Sequence, residues 1–199
     1  MNTVQKAGAL QVVIWLSGPT GAGKTSLARS LDKTGFSIVE EDIPQDLFRD
    51  FVAEPVAKCE SLQRHLMQSR LIRWQNISGH SRIVFDRSID EDIEVFCRMH
   101  RRTGLLTQTQ FDSLADFGRN LQDQIPKPDL IVFVTASPVA LLNRIQNANG
   151  PALIVDNLND QISLYSEWLQ TRIEQVMNID TTRISERVMA EFFGGDKSC

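Results

Sequence analysis

Five short apolar runs alternate along the chain with longer segments in which apolar residues recur at helical spacing. Most of the runs are rich in β-branched and aromatic residues, which is typical of strands buried on both faces. The runs cover 12–16, 36–39, 82–85, 130–134 and 176–180. Because strands that alternate with helices favour a parallel sheet, we predict an α/β fold with a five-stranded parallel sheet flanked by helices.

The helical segments carry apolar residues three or four positions apart and are bounded by turn residues. We predict one helix that begins at Ile89 and others over 25–33, 44–51, 56–76, 103–120, 138–147, 157–177 and 185–193. On the longest helix, one face is shared by Gln63, Met67, Arg70 and Trp74. This face either lines a polar pocket or is an ordinary, partly solvated helix surface.

A glycine-rich motif lies between the first predicted strand and the first predicted helix. Segment 17–26 reads SGPTGAGKTS and matches the P-loop pattern. Its glycines let the backbone wrap around a phosphate, and the helix N-terminus offers free N–H groups. Lys24 can reach the outer phosphates, and the Thr25 hydroxyl can bind Mg²⁺.

Nucleoside triphosphate binding is favoured over a chance glycine-rich turn because strand, turn and helix follow in the required order. The predicted triphosphate-binding residues are Gly18, Pro19, Thr20, Gly21, Ala22, Gly23, Lys24, Thr25 and Ser26. With the predicted sheet, this motif indicates the three-layer fold of P-loop kinases.

Acidic residues follow the second and third predicted strands. Segment 40–42 reads Glu-Glu-Asp, and Asp86 with Arg87 comes directly after the third strand. Ligands of open α/β sheets bind outside the carboxyl ends of the strands, so Asp86 is suited to Mg²⁺ and Arg87 to a phosphate. A solvated acidic loop is the structural alternative at 40–42. The carboxylates at 89–92 also suit a helix N-terminus, which is compatible with a metal site at Asp86.

Composition restricts the function classes. The 199 residues carry a net charge of −4, which argues against a general affinity for nucleic acid. The cysteines follow no metal-ligand spacing, so Cys59 and Cys97 are interpreted as buried apolar residues. Without a signal peptide or a long apolar run, we expect no membrane segment and a cytoplasmic location. One domain over 1–199 is expected, with 1–10 and 194–199 as loose tails.

Beyond the P-loop, the chain resembles the deoxynucleoside kinase family, especially its bacterial deoxyadenosine and deoxyguanosine kinase branch. The similar segments span nearly the whole chain and follow in the family's order and spacing. They are EE at 40–41, FVAEP at 51–55, LQ at 62–63, Arg70, DRSIDED at 86–92, PDLI at 128–131, LNRI at 142–145 and YSEW at 165–168.

The resemblance implies a role for each matching site residue. Glu41 would be the general base that accepts the proton of the sugar 5′-hydroxyl as it attacks the γ-phosphate of ATP. Lys24 and Mg²⁺ would neutralise the transferring phosphoryl group, Asp86 and Thr25 would hold Mg²⁺, and Arg87 would hold phosphate oxygens. Glu40 is the alternative base, one position earlier.

The resemblance also implies the nucleoside contacts. Gln63 would bond the base edge, and Arg70 with Asp92 would read the rest of the base. The acceptor on Asp92 favours a base with an exocyclic amino group over thymine. The family commonly forms homodimers.

Two features of the family are missing from this chain, the lid arginine pair and the contacts to the sugar. The family's lid carries an Arg-x-Arg pair where this chain has Ala148-Asn149-Gly150. The family also uses a tyrosine and a lid glutamate on the sugar 3′-hydroxyl, whereas this chain has Val52 at the tyrosine position and no glutamate at 152–153. The arginines that could replace the pair at the triphosphate are Arg144, Arg101 and Arg102.

Three functions therefore stay open. The first is ATP- and Mg²⁺-dependent phosphorylation of a deoxynucleoside. The second is a P-loop kinase that acts on a nucleotide or a modified nucleoside. The third is a nucleotide-binding protein without catalysis, although the acid Glu41 and the cation Arg87 favour an enzyme.

Overall fold

The five predicted strands form one fully parallel sheet in a computed structural model that describes residues 11–41 and 43–183. Its spatial order is β2-β3-β1-β4-β5. The strands are β1 (Val12–Ser17), β2 (Ser37–Val39), β3 (Arg82–Asp86), β4 (Leu130–Thr135) and β5 (Val176–Asp180). The predictions on 1–10, Asp42, 185–193 and 194–199 lie outside the described residues.

The helices cover both faces of this sheet, which confirms the predicted α/β class. They are α1 (Lys24–Asp32), α2 (Gln45–Ala53), α3 (Pro55–Ile77), α4 (Ile89–Glu91), α5 (Arg98–Arg102), α6 (Gln108–Gln122), α7 (Pro138–Asn147), α8 (Ala152–Asp156) and α9 (Leu158–Gln170). A π-helical turn, Asp92–Cys97, joins α4 to α5. No helix within 11–41 or 43–183 has the length and apolar character needed to cross a membrane.

Two predicted helix bounds were wrong. The helix predicted over 103–120 begins only at Gln108, because Gly104 adopts a left-handed conformation and Thr107 forms a capping box with Gln110. The helix predicted over 157–177 ends at Gln170, because the chain then pairs with β4 as β5.

The sheet separates two apolar layers. Along β1, Val13 and Trp15 pack into the layer that includes α3 and α6, and Leu16 packs into the layer of α1 and α7. This alternation explains why β1 is apolar from Val12 to Leu16. On α3, the face of Gln63, Met67, Arg70 and Trp74 is buried, so the interpretation as a solvated surface was wrong.

The carboxyl ends of the central strands meet at one edge of the sheet. The P-loop follows β1, Glu41 lies two residues after β2, and Asp86 ends β3. Because β1 lies between β3 and β4, the chain reverses its direction of winding at the P-loop, and such a point is where ligands bind in open α/β sheets.

Candidate active site

The backbone of the P-loop requires glycine. Gly18 has φ +139°, and a Cβ atom there would lie 2.0 Å from the carbonyl oxygen of Val134. Gly21 and Gly23 also have positive φ, and α1 begins at the next residue, Lys24. The predicted loop and helix N-terminus are therefore both present.

Lys24 folds back over the loop. It is only 6% exposed. Its Nζ donates hydrogen bonds to the carbonyl oxygens of Gly18 (2.7 Å) and Pro19 (3.0 Å). Burial, together with the positive charge of Arg87, lowers the pKa of Lys24 from 10.5 to about 7.

The predicted metal ligands Thr25 and Asp86 are adjacent. The Thr25 hydroxyl donates to Asp86 Oδ2 at 2.9 Å. Oδ1 of Asp86 is buried and finds no hydrogen-bond partner among the residues described. A hydroxyl beside an orphaned carboxylate oxygen fits Mg²⁺, which commonly takes one or two protein ligands and completes its shell with phosphates and water.

Glu41 is held between two arginines. Its carboxylate accepts from Arg87 Nε at 3.1 Å and from Arg70 Nη2 at 3.2 Å. Burial tends to raise the pKa of Glu41, but the charges of Arg87 and Arg70 outweigh burial and leave the pKa below its usual 4.5. The neighbouring Glu40 is exposed, so the geometry favours Glu41 over Glu40 as the reactive acid.

Arg87 adopts an unusual backbone conformation directly after β3. Its φ of +71° is rare for a residue with a side chain, and such strain is typical of functional sites. Nη1 of Arg87 donates to the Tyr165 hydroxyl at 2.8 Å and to the Gly18 carbonyl oxygen at 3.2 Å. The guanidinium therefore connects the P-loop, Tyr165 and Glu41.

Two cavities meet at these residues. One lies over the P-loop and includes Lys24 and Thr25 in its wall. The other is mostly apolar, and its polar wall includes Gln63 and Asp92. The residues that line both cavities are Thr20, Glu41 and Arg87.

Arg70 lies behind the wall of the apolar cavity. It is 1% exposed and forms the predicted pair with Asp92, with Nε 2.8 Å from Oδ2. Its other donors contact Glu41 and the carbonyl oxygens of Asp86 and Arg87. Arg70 is thus placed to orient Asp92 and Glu41, and it is not among the residues that line either cavity.

Glu91 is a site residue that the sequence indicated only as a helix-start acid. It is fully buried and accepts from the hydroxyls of Ser17 and Tyr165, both at 2.8 Å. Burial raises its pKa. Ser88 and Glu91 form a capping box, and the S-x-x-E spacing indicates only that this carboxylate folds back onto the start of its own helix.

Of the three arginines proposed to replace the lid pair, only Arg144 lines the P-loop cavity. Its guanidinium donates to the Gly21 carbonyl oxygen at 3.1 Å and to Thr181. Arg101 instead contacts Gln108, and Arg102 contacts Glu167. The short helix α8 covers the apolar cavity with aliphatic side chains, including Leu153 and Ile154.

Solved structures with this fold include deoxyadenosine kinase from M. mycoides with bound dCTP. The TM-score is 0.74 at 18% sequence identity, over 92% of this chain and 97% of that one. The same enzyme with bound dATP gives a TM-score of 0.76, also at 18% identity. This similarity supports the three-layer P-loop kinase fold.

Curated relatives give the family. A deoxyadenosine kinase from Dictyostelium discoideum is 30% identical over 96% of this chain and 83% of the relative. A deoxyguanosine kinase from Lactobacillus acidophilus is 32% identical over 70% of this chain and 64% of the relative. The deoxynucleoside kinase family model matches residues 14–192. The chain is therefore an enzyme of the deoxynucleoside kinase family.

Proposed function

We propose that this enzyme transfers the γ-phosphoryl group of ATP, with Mg²⁺, to the 5′-hydroxyl of a deoxynucleoside with an amino-bearing base. The observation that carries the proposal is the position of Glu41 and Arg87, which line both the P-loop cavity and the apolar cavity. A general base at this junction can contact the hydroxyl that receives the phosphoryl group in one cavity, while an arginine contacts the phosphate bound in the other.

On the phosphate side, the chain supplies positive charge and oxygen ligands. Lys24 and Arg87 would bind phosphoryl oxygens, and Arg144 would add a third cation at the P-loop. Thr25 and Asp86 would hold Mg²⁺, which when bound neutralises charge that develops on the phosphates. Positioning and charge compensation are the main catalytic tasks in phosphoryl transfer.

On the acceptor side, Glu41 is suited to take the proton of the 5′-hydroxyl. Since its pKa lies below the usual value, Glu41 is a carboxylate at neutral pH and can accept a hydrogen bond. The two arginines fix its orientation. The nucleobase of the substrate would lie farther into the apolar cavity, against Gln63 and Asp92.

The acceptor class can be tested with a panel of nucleosides, deoxynucleosides and their monophosphates, each with ATP and with or without Mg²⁺. We expect Mg²⁺-dependent ADP formation that is fastest with a deoxynucleoside. Faster transfer to a monophosphate would replace the proposed acceptor with a nucleotide. Binding of ATP without transfer to any acceptor would favour a protein without catalysis.

Base preference follows from Asp92. Its carboxylate is buried in the cavity wall and can accept from an exocyclic amino group, which thymine lacks. We expect deoxyadenosine, deoxyguanosine or deoxycytidine to win a competition assay against thymidine. Gln122→Ala, away from both cavities, should keep that preference. A win for thymidine would refute the role of Asp92.

Triphosphate binding should take up a proton above neutral pH. With a pKa of about 7, Lys24 is mostly uncharged at pH 8, and bound phosphate favours its charged form. Titration calorimetry with Mg-ATP in buffers of different ionisation enthalpy should show uptake of nearly one proton at pH 8 and much less at pH 6. Equal heats in all buffers at pH 8 would contradict this account of Lys24.

A further inference from the structure

Two amide side chains in the wall of the apolar cavity, next to helix α8, have no predicted role. Asn157 directly precedes α9, and Gln161 lies one helical turn later, in the first turn of α9. Both are buried, at 6% and 3% exposure, and both line the cavity. Their spacing of four residues puts them on the same face of the helix.

Each amide uses one of its two polar ends within the protein. Asn157 Nδ2 donates to the Leu153 carbonyl oxygen at 2.8 Å, and no residue in the described ranges donates to its Oδ1. Gln161 Oε1 accepts from the backbone N–H and the hydroxyl of Thr20, at 3.1 Å and 3.2 Å. Its Nε2 has no acceptor within the same ranges.

These contacts also assign the orientation of both amides. A carbonyl oxygen can only accept, so the nitrogen of Asn157 must face Leu153. A backbone N–H can only donate, so the oxygen of Gln161 must face Thr20. The groups left for a ligand are therefore one acceptor, on Asn157, and one donor, on Gln161.

The position of this pair along the cavity follows from Thr20. Thr20 lines both cavities, as Glu41 does, and Gln161 is bonded to it. The pair thus lies toward the phosphate end. In a nucleoside whose 5′-hydroxyl contacts Glu41, the part next to the phosphate end is the sugar, and the base lies beyond it.

We infer that Asn157 and Gln161 form the sugar subsite and bind the 3′-hydroxyl of the deoxynucleoside. This inference rests on the proposed function. Apart from the 5′-hydroxyl, the one group of a deoxyribose that can both donate and accept is the 3′-hydroxyl, which can donate to Asn157 Oδ1 and accept from Gln161 Nε2. Helix α8 borders the same subsite, because Asn157 also donates to the carbonyl oxygen of Leu153.

The test compares kcat/KM for a 2′-deoxynucleoside and the 2′,3′-dideoxynucleoside with the same base. We expect the wild type to prefer the 3′-hydroxyl by roughly 10- to 100-fold, since two buried partners are left unpaired without it. Asn157→Ala and Gln161→Ala should each lower this ratio by about 10-fold. Ser163→Ala, on the exposed face of α9, should leave the ratio at the wild-type value.

Asn157→Asp separates sugar binding from lid packing. It keeps the acceptor oxygen but cannot donate to Leu153, so the 3′-hydroxyl preference should survive while the thermal midpoint falls. If Asn157→Asp loses the preference for the 3′-hydroxyl, the ratio of the two kcat/KM values depends on the contact with Leu153 and not on a contact with the sugar. If Asn157→Ala does not fold, Gln161→Ala decides.

The outcomes distinguish this inference from the proposed function. Transfer to deoxynucleosides with a ratio unchanged in both alanine variants would overturn the sugar subsite and leave the kinase intact. A wild type that phosphorylates no deoxynucleoside would overturn the kinase proposal and, with it, the subsite.

Discussion

Arg87→Met should lower kcat by about 10³- to 10⁵-fold, the range of an arginine that stabilises a transferring phosphoryl group. Arg87 lines both cavities and donates to Glu41 and to the P-loop carbonyl of Gly18. Methionine keeps an unbranched apolar stem and removes the charge and all donors. The measurement is a single-turnover rate at saturating ATP and deoxynucleoside.

Two further variants serve as controls for Arg87→Met. Arg87→Lys keeps the charge but loses the planar donors, so it should recover only part of the rate. Arg102→Met removes an arginine that contacts Glu167 on the surface and should leave kcat unchanged. A rate for Arg87→Met within tenfold of the wild type, in a folded protein, would exclude Arg87 from phosphoryl transfer.

Glu41→Gln should reduce kcat by about 10²- to 10⁴-fold, because glutamine fits the same space but cannot accept the proton of the 5′-hydroxyl. Affinity for ATP should change little, since Glu41 lines the P-loop cavity but its carboxylate would offer a triphosphate no favourable contact. Because the pKa of Glu41 lies below 4.5, its protonation should not limit the wild-type rate between pH 6 and 8.

Glu40→Gln is the matched control for Glu41→Gln. Glu40 is the preceding residue, carries the same functional group and is exposed. It should keep a rate near that of the wild type. A large loss in Glu40→Gln with none in Glu41→Gln would move the general base to Glu40.

Local patterns predicted most of the fold. Strands β1, β3 and β4 were predictable because each is a largely buried apolar run. The P-loop was predictable because its spacing is fixed by backbone geometry at Gly18 and Gly23. The helix over 103–120 was predicted too long because helical apolar spacing continues past Gly104 and Thr107, where the backbone turns. The single domain, the homodimer and the cytoplasmic location stay predictions.

Residues that act through distant partners were not predictable in the same way. Glu91 bonds Ser17 and Tyr165, each 74 positions away along the chain, and Gln161 bonds Thr20 across 141 positions. No spacing rule connects positions so far apart, and a buried glutamate in an acidic run looks like a solvated helix start.

The most direct test of the central claim is the position of the new phosphate. Wild-type enzyme with ATP, Mg²⁺ and the best of deoxyadenosine, deoxyguanosine and deoxycytidine should yield ADP and the 5′-monophosphate, identified by ³¹P NMR. The 2′,5′-dideoxynucleoside with the same base, which lacks the 5′-hydroxyl next to Glu41, should yield no product. Phosphate at another hydroxyl, or ATP that stays intact with every deoxynucleoside, would contradict the account.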